Sequence, residues 1–380
     1  MTVAIVGNQP FALARFRTLL IRDLVAQGHS VCALSPGWDE DPESRAVVEA
    51  AGATTVGIPM GRAAGGPLGE LRSVWAIRRV LARIQPAAVL SYFVKPVLYT
   101  ALAAYGLPVA RRVALVEGLG MLGGAAPGSA RARAVRALYA FAGRQYDALF
   151  VLNAEDEAYF AGPVGLDPQK VRRIEGIGID VDEFRATGQP PDAPFTFLFV
   201  ARMLRQKGVY EFVDAARRVR MAHPGARFVM LGSADDSPDA VDGNELARRA
   251  TEAGVEWKGH VGNVADFLAR SHVFVLPSYY REGYPRSIME AMAAGRAVIT
   301  ADNVGCREAV EEGVNGLIVP PRDVSALADA MSVLAADPAL AAEMGHRGRE
   351  LARARYDYRA INPLVIRELT GAPVPTVSHA

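Results

Sequence analysis

The sequence predicts an α/β protein made of two doubly wound parallel sheets. Three observations predict it. Short apolar, β-rich runs alternate with longer helix-forming runs along nearly the whole chain, the pattern of parallel strands joined by right-handed helical crossovers. A length of 380 residues fits about two domains. A turn- and proline-rich segment, Thr187 to Pro194 (TGQPPDAP), interrupts the alternation near its middle, and a second alternating set follows it.

The first set opens with Thr2 to Gly7 (TVAIVG), a buried strand. A loop over Asn8 to Phe11 leads into a helix from Ala12 to Gln27, stopped by Gly28. Ser30 to Ser35, Thr54 to Pro59, Ala88 to Phe93, Arg111 to Gly118 and Ala148 to Asn153 read as further strands. Leu68 to Ile84 and Ala130 to Arg144 are helices between them, while Gly61 to Gly69 and Met121 to Gly128 are too rich in glycine for regular structure. The second set runs through strands at Phe195 to Val200, Arg227 to Gly232, Val255 to Gly259, Val273 to Leu276, Ala297 to Thr300 and Gly316 to Val319. Its helices are expected at Gly208 to His223, Val324 to Ala335 and Ala339 to Arg353. The expected domains are therefore 1–178 and 190–355, with a last helix at 356–370 packing back on the first and a disordered tail after it. The natural site is the cleft between the two.

Composition excludes several function classes. Net charge is +1, which leaves no case for nucleic acid on charge alone. The charge is uneven: residues 1–178 hold 19 Lys and Arg against 14 Asp and Glu, and residues 179–380 hold 23 against 27. Cys32 and Cys306 are the only cysteines. They show no metal-like spacing and no disulfide framework, as in a reducing cytoplasm. No run approaches the roughly 18 apolar residues of a membrane span, and Met1 to Asn8 lacks the charged start of a signal peptide.

The chemistry concentrates in Ser278 to Gly295 (SYYREGYPRSIMEAMAAG). A buried strand, His272 to Pro277, precedes it, and a helix over Ser287 to Ala294 lies within it. Ligands of open α/β sheets bind beyond the carboxyl ends of strands, where the next helix aims its positive end. Gly283 lets the backbone approach a ligand, Pro285 suits a helix start, and Glu282 and Glu290 flank the turn.

Three stretches together resemble the family-four retaining glycosyltransferases of the GT-B fold: ARMLRQKG at Ala201 to Gly208, Glu282 with Glu290 spaced as E-x7-E, and the GC-x-EAV run at Gly305 to Val310. Within them, VALVEGLG at Val113 to Gly120, GIGIDVDEF at Gly176 to Phe184, KGVYEF at Lys207 to Phe212 and LGSADDSP at Leu231 to Pro238 look like the enzymes that add N-acetylgalactosamine to undecaprenyl-diphosphate-linked sugars. The resemblance implies a UDP-sugar donor, a polyprenyl-diphosphate glycan acceptor, and retention of anomeric configuration without a metal. Arg202 and Lys207 would neutralise the departing diphosphate, where electrostatic catalysis is largest. Glu282 would lie beside the donor sugar ring and Glu290 would accept from ribose hydroxyls. The backbone at Gly283, Tyr284 and Arg286 would meet the diphosphate or sugar, with Gly7 and Asn8 contributing from the other domain and His260 near the base. On the acceptor side, Glu117 would orient or deprotonate the hydroxyl, and Lys95, Arg15 and Arg17 are candidate anion ligands.

Two further patterns are weighed. Asp180 and Asp182 spell D-x-D, which binds metal in another glycosyltransferase fold; beside the linker it reads as a helix cap, and Asp235 with Asp236 lacks ligand spacing. Ala130 to Arg144 carries an apolar stripe of Val135, Leu138, Tyr139 and Ala142 with Arg131, Arg133, Arg136 and Arg144. It reads either as a core-packed helix or as one resting on anionic lipid at the inner face of the plasma membrane. The competing functions are transfer to a soluble acceptor, and a non-catalytic sugar-nucleotide-binding protein or an epimerase on the same fold.

Overall fold

The central strands form where the chain is apolar on both faces, and the strands among the described residues lie in two parallel sheets. The computed structural model describes residues 1–61, 66–118, 129–184, 190, 193–234 and 239–371. The chain divides into two units, Met1–Gly178 with the segment from Tyr358 onward, and Ile179–Asp357.

In the first unit the strands are β1 (Thr2–Val6), β2 (Ser30–Ser35), β3 (Ala53–Gly57), β4 (Ala88–Tyr92), β5 (Arg111–Val116), β6 (Ala148–Val151) and β7 (Val171–Arg173). Their order in the sheet is β3-β2-β1-β4-β5-β6-β7. β1 pairs in parallel with both β2 and β4, so the strand order reverses between β1 and β4. That reversal is where such sheets open a crevice at their carboxyl edge. The expected single helix after β1 is two, α1 (Pro10–Phe16) and α2 (Thr18–Ala26), broken at Arg17. Pro10 starts α1 earlier than expected because the first helical position needs no N–H. At the break the Thr18 hydroxyl donates back to Ala14 O at 2.6 Å, a bond that bends helices, and Arg17 turns inward to 2% exposure.

The other helices of this unit are α3 (Pro42–Ala50), α4 (Gly66–Ile84), α5 (Val94–Ala103), α6 (Ala130–Arg144) and α7 (Ala154–Ala161). Asp41 caps α3 through Ser44 N at 3.0 Å. Residues 66–69, expected as loop, are the first turn of α4; 62–65, like the loop at 119–128, lie outside the described residues. α5 packs between α4 and α6. Tyr139 and Ala142 of α6 enter a core with Phe160 and Tyr146, and the Tyr139 and Phe160 rings meet edge to face at 5.2 Å, worth about 0.5–1.5 kcal/mol beyond their buried area. Leu138, expected on the same stripe, points outward at 52% exposure.

The second unit holds β8 (Thr196–Val200), β9 (Arg227–Leu231), β10 (Val255–Trp257), β11 (Val273–Leu276), β12 (Ala297–Ala301) and β13 (Gly316–Val319) in the order β10-β9-β8-β11-β12-β13. The reversal here falls between β8 and β11. Helices α8 (Val209–Ala222), α9 (Gly243–Ala253), α10 (Val264–Ala269), α11 (Arg286–Ala293), α12 (Val324–Ala336) and α13 (Pro338–Arg355) cover the sheet. α11 carries Arg286, Ser287 and Glu290 on one face and apolar residues on the rest, and is buried from Ile288 to Ala293, with α13 over it. The final helix, α14 (Tyr358–Thr370), packs on α2, β4 and β5 of the first unit. Asp180 accepts from Asp182 N at 3.0 Å within a turn, so the expected helix cap is a turn-stabilising contact instead. Asp235 and Asp236 lie outside the described residues.

Candidate active site

The motif residues of the second unit converge at its strand reversal. β8 ends at Val200, exposed Arg202 follows, and a short 3-10 turn at Arg205–Lys207 leads through Gly208 into α8. Gly208 sits at φ +78°, and a Cβ there would come within 2.4 Å of Pro277 O. Only glycine lets this turn press against the end of β11. The contact is sealed by the amides of Tyr279 and Tyr280, which donate to Gln206 O at 2.8 and 3.0 Å.

This clamp brings Lys207 onto Glu282. The Lys207 ammonium donates to Glu282 Oε1, and Ser278 Oγ donates to the same oxygen at 3.0 Å. The side chains are 13% and 10% exposed, so the pair is sheltered but open to a ligand. Lys207 Nζ also lies 5.2 Å from the centre of the Tyr280 ring. Burial raises the pKa of the Tyr280 hydroxyl, with Glu282 adding to the rise and Arg202 opposing it. Behind the pair, Gly305 at φ +83° places its backbone where a Cβ would meet Glu282 Cβ and Gly283 O at 2.8 Å. Asn303 Nδ2 holds Tyr280 O at 2.5 Å. Cys306, fully buried nearby, has its thiol pKa pushed up by burial and then by Glu282.

One turn along, Arg286 Nε donates to Glu290 Oε1 at 2.7 Å. Glu290 is 5% exposed, so the carboxylate is oriented by its own helix. Tyr284 is used within the unit. Its ring meets Tyr356 at 5.3 Å and its hydroxyl contacts Tyr356 Oη at 2.6 Å and Glu308 O at 3.0 Å; only its backbone remains for the expected ligand role. His260 is exposed beyond β10, next to Gly259, whose carbonyl accepts from Gly232 N at 2.8 Å.

The first unit gathers a second cluster at its own reversal. Arg17 donates to Glu117 Oε1, and its guanidinium lies 4.5 Å from the Tyr92 ring centre. Arg17, expected as an anion ligand, is instead buried at 3% side-chain exposure and positions Glu117. The Tyr92 hydroxyl and Asn8 Oδ1 are buried without a hydrogen-bond partner, which calls for a reason in a packed protein. Gly7 has a packing role of its own: a Cβ would lie 2.2 Å from the Tyr92 hydroxyl. Phe93, directly after β4, holds φ +66°, a costly backbone state that clusters at functional sites. Lys95 donates to Gly61 O at 3.0 Å and pairs with Glu70 at 3.3 Å; Arg15 is half-buried on α1.

The sequence pointed to Arg202, Lys207, Glu282 and Glu290, and the structure gathers Lys207 with Glu282 and Glu290 with Arg286. Ser278, Gln206, Asn303 and Tyr92 were missed. Ser278 and Gln206 sit inside motifs already marked, whereas Tyr92 and Asn303 carry no local signal.

Comparison with known proteins bears on the family and the fold. Residues 12–175 match the family model of the glycosyl transferase 4-like domain, and residues 194–337 match that of the glycosyl transferases of group 1. The chain is 26% identical over 356 residues to an N,N'-diacetylbacillosaminyl-diphospho-undecaprenol alpha-1,3-N-acetylgalactosaminyltransferase of Campylobacter jejuni, covering 90% of this chain and 91% of that protein. Its fold matches sucrose-phosphate synthase of Thermosynechococcus elongatus with a TM-score of 0.78 at 22% identity, over 98% of this chain and 100% of that one. It matches the Anabaena HepE structure in complex with UDP and glucose with a TM-score of 0.78 at 18% identity, over 98% and 100%. The chain belongs to the family-four glycosyltransferases of the GT-B fold, enzymes of glycan biosynthesis.

Proposed function

We propose that this glycosyltransferase moves an N-acetylhexosamine from a UDP-sugar to a saccharide carried on a polyprenyl diphosphate, at the inner face of the plasma membrane. One observation carries the reading: the sheltered Lys207–Glu282–Ser278 cluster beside Arg202 at the strand reversal of the second unit. The Campylobacter relative acts on a lipid-linked acceptor by its name, and the basic excess of residues 1–178 suits one.

In transfer, the bond from the anomeric carbon to the diphosphate oxygen breaks while the acceptor oxygen bonds to that carbon and loses its proton. Negative charge grows on the departing diphosphate. Arg202 and Lys207 supply cations there, a task a metal performs in other designs, so the reaction needs no added ion. Glu282, held by Lys207 and Ser278, would present its free lone pairs to hydroxyls of the donor sugar and keep the ring on the face from which configuration is retained. Glu290, fixed by Arg286, would take the ribose hydroxyls. On the first unit, Glu117 fixed by Arg17 would accept from the attacking hydroxyl, the Tyr92 hydroxyl would find a partner in the acceptor, and Asn8 would find one in the donor.

The test is a panel of radiolabelled nucleotide sugars given to the purified enzyme with polyprenyl-diphosphate acceptors in detergent, with and without excess EDTA. We expect an α-linked product from a UDP-N-acetylhexosamine, undiminished by chelation. Transfer only to water-soluble glycans would overturn the acceptor, and loss on chelation restored by Mn²⁺ would overturn the metal-free mechanism.

A further inference from the structure

α4 turns an unusual face to solvent. Leu68, Leu71 and Trp75 are 84%, 63% and 58% exposed. Spaced three and four apart, they form one continuous stripe on the outer side of the helix. A surface helix normally puts polar residues there, and contiguous exposed apolar surface marks a place of contact. The rest of that side is cationic. Arg72, Arg79 and Arg83 are exposed, and the Arg79 guanidinium stacks 4.6 Å over the Trp75 ring. Glu70 is the helix's only acid, and it is turned to Lys95 and the Tyr99 hydroxyl rather than outward.

The neighbouring elements extend the surface. Arg78 donates to Ala103 O and Tyr105 O at 3.0 and 2.6 Å, tying α4 to the end of α5, where Tyr105 is 61% exposed. α6, on the other flank of α5, exposes Leu138 and Phe141 beside exposed Arg133 and Arg144.

We propose that α4 is the element by which this protein enters a membrane: Leu68, Leu71 and Trp75 sink into the acyl boundary of an anionic leaflet while Arg72, Arg79 and Arg83 meet its phosphates. The inference rests on the membrane-bound acceptor proposed above, and it moves the main contact from α6 to α4. Lipid is favoured over a protein partner by the chemistry of the face. An apolar stripe rimmed by cations with no outward acid is complementary to a plane of acyl chains and phosphates. A tryptophan at the boundary between the two belongs at the headgroup level. Each arginine near an anionic surface strengthens binding roughly five-fold.

The experiment compares sedimentation of the full chain with phosphatidylcholine vesicles and with vesicles containing phosphatidylglycerol. The parent is expected to bind only the anionic vesicles, and the variant Leu68→Ser/Leu71→Ser/Trp75→Ser to bind them at least ten-fold more weakly. Both should have the same circular dichroism and the same transfer to detergent-solubilised acceptor. Trp75 supplies a second readout, since Trp38 is buried and Trp257 donates to Gly232 O inside the second unit. The emission of the parent should shift to the blue and be quenched by brominated lipid, and Trp75→Phe should lose both responses. Parent-like sedimentation of the triple variant, or vesicle binding without a change at Trp75, would overturn α4 as the inserting helix while leaving the acceptor reading intact. A parent that binds no vesicle would remove membrane docking altogether. Vesicle binding through α4 together with no transfer to any lipid-linked acceptor in detergent would uphold this inference and sink the proposed reaction alone.

Discussion

Each unit places a cation–carboxylate pair at the strand reversal of its parallel sheet, and the two pairs are built differently. In the second unit, Lys207 and Glu282 stand on adjacent strand-end loops, with Ser278 sharing the carboxylate. In the first, Arg17 reaches Glu117 from a helix break, across 100 positions of sequence, beneath the Tyr92 ring. The first pair is sealed on its cationic side, at 3% exposure, whereas both members of the second keep 10% or more. A closed pair fixes one carboxylate in place; a half-open pair can exchange an internal partner for a ligand. Of the two cations, Lys207 keeps more of its side chain open, at 13% against 3% for Arg17.

The largest expected effect of breaking this contrast is on stability. Arg17→Met takes the buried guanidinium away from a sheltered Glu117 carboxylate, and removing one partner of a buried pair costs up to about 3–5 kcal/mol. Calorimetry should show the melting temperature falling further for Arg17→Met than for Lys207→Met, whose partner Glu282 keeps the Ser278 hydroxyl. Equal losses in the two variants would erase the distinction.

The next effect is on turnover. Lys207→Ala should lower kcat by about 10²–10³, the usual loss when one stabilising donor is removed from a developing charge, with far-ultraviolet circular dichroism unchanged. Near-parent turnover would make the Lys207–Glu282 pair structural, like its counterpart in the first unit.

The smallest effect comes from a pair remote from both reversals. Arg227 holds Glu256 through two hydrogen bonds of 2.5 and 2.9 Å and lowers its pKa to about 2. Because the folded value lies below the ordinary carboxylate value of 4.5, the contribution is present above that pH and fades as pH falls from 4.5 toward 2. Half-exposed as it is, the pair adds little. Arg227→Gln should lower stability slightly above pH 4.5 and flatten the acid limb of the curve in urea titrations, with no change in the rate at about pH 7; an altered rate would tie β9 and β10 to the site.

The contrast also explains what was legible in the sequence. Lys207, Glu282 and Glu290 lie in short contiguous motifs at strand ends, where turn chemistry and helix starts are local, so their position could be read, while the pairs Lys207–Glu282 and Arg286–Glu290 emerge only in the structure. The sheets were legible for the same reason: buried parallel strands are short apolar runs with glycine or proline at their ends. β7, Val171–Arg173, was missed because its three residues include two exposed arginines. The break between α1 and α2 has a local bond, Thr18 to Ala14 O, but the contact that turns Arg17 inward is long-range. Nothing near Arg17 announces a partner at Glu117, and nothing near Gly7 announces the Tyr92 hydroxyl that requires it. The α6 stripe was half right, since helical spacing put Leu138 beside Tyr139 while the packing of α5 and α7 chose which side is inward.

The proposed reaction stands on the half-open cluster of the second unit binding the diphosphate of the donor. Isothermal titration of UDP into the parent, Arg202→Ala and Lys207→Ala proteins tests it most directly, without an acceptor or a membrane. Each of the two variants should bind UDP at least ten-fold more weakly than the parent, and Arg15→Ala on α1 should bind as the parent does. UDP affinity unchanged in both Arg202→Ala and Lys207→Ala would contradict it.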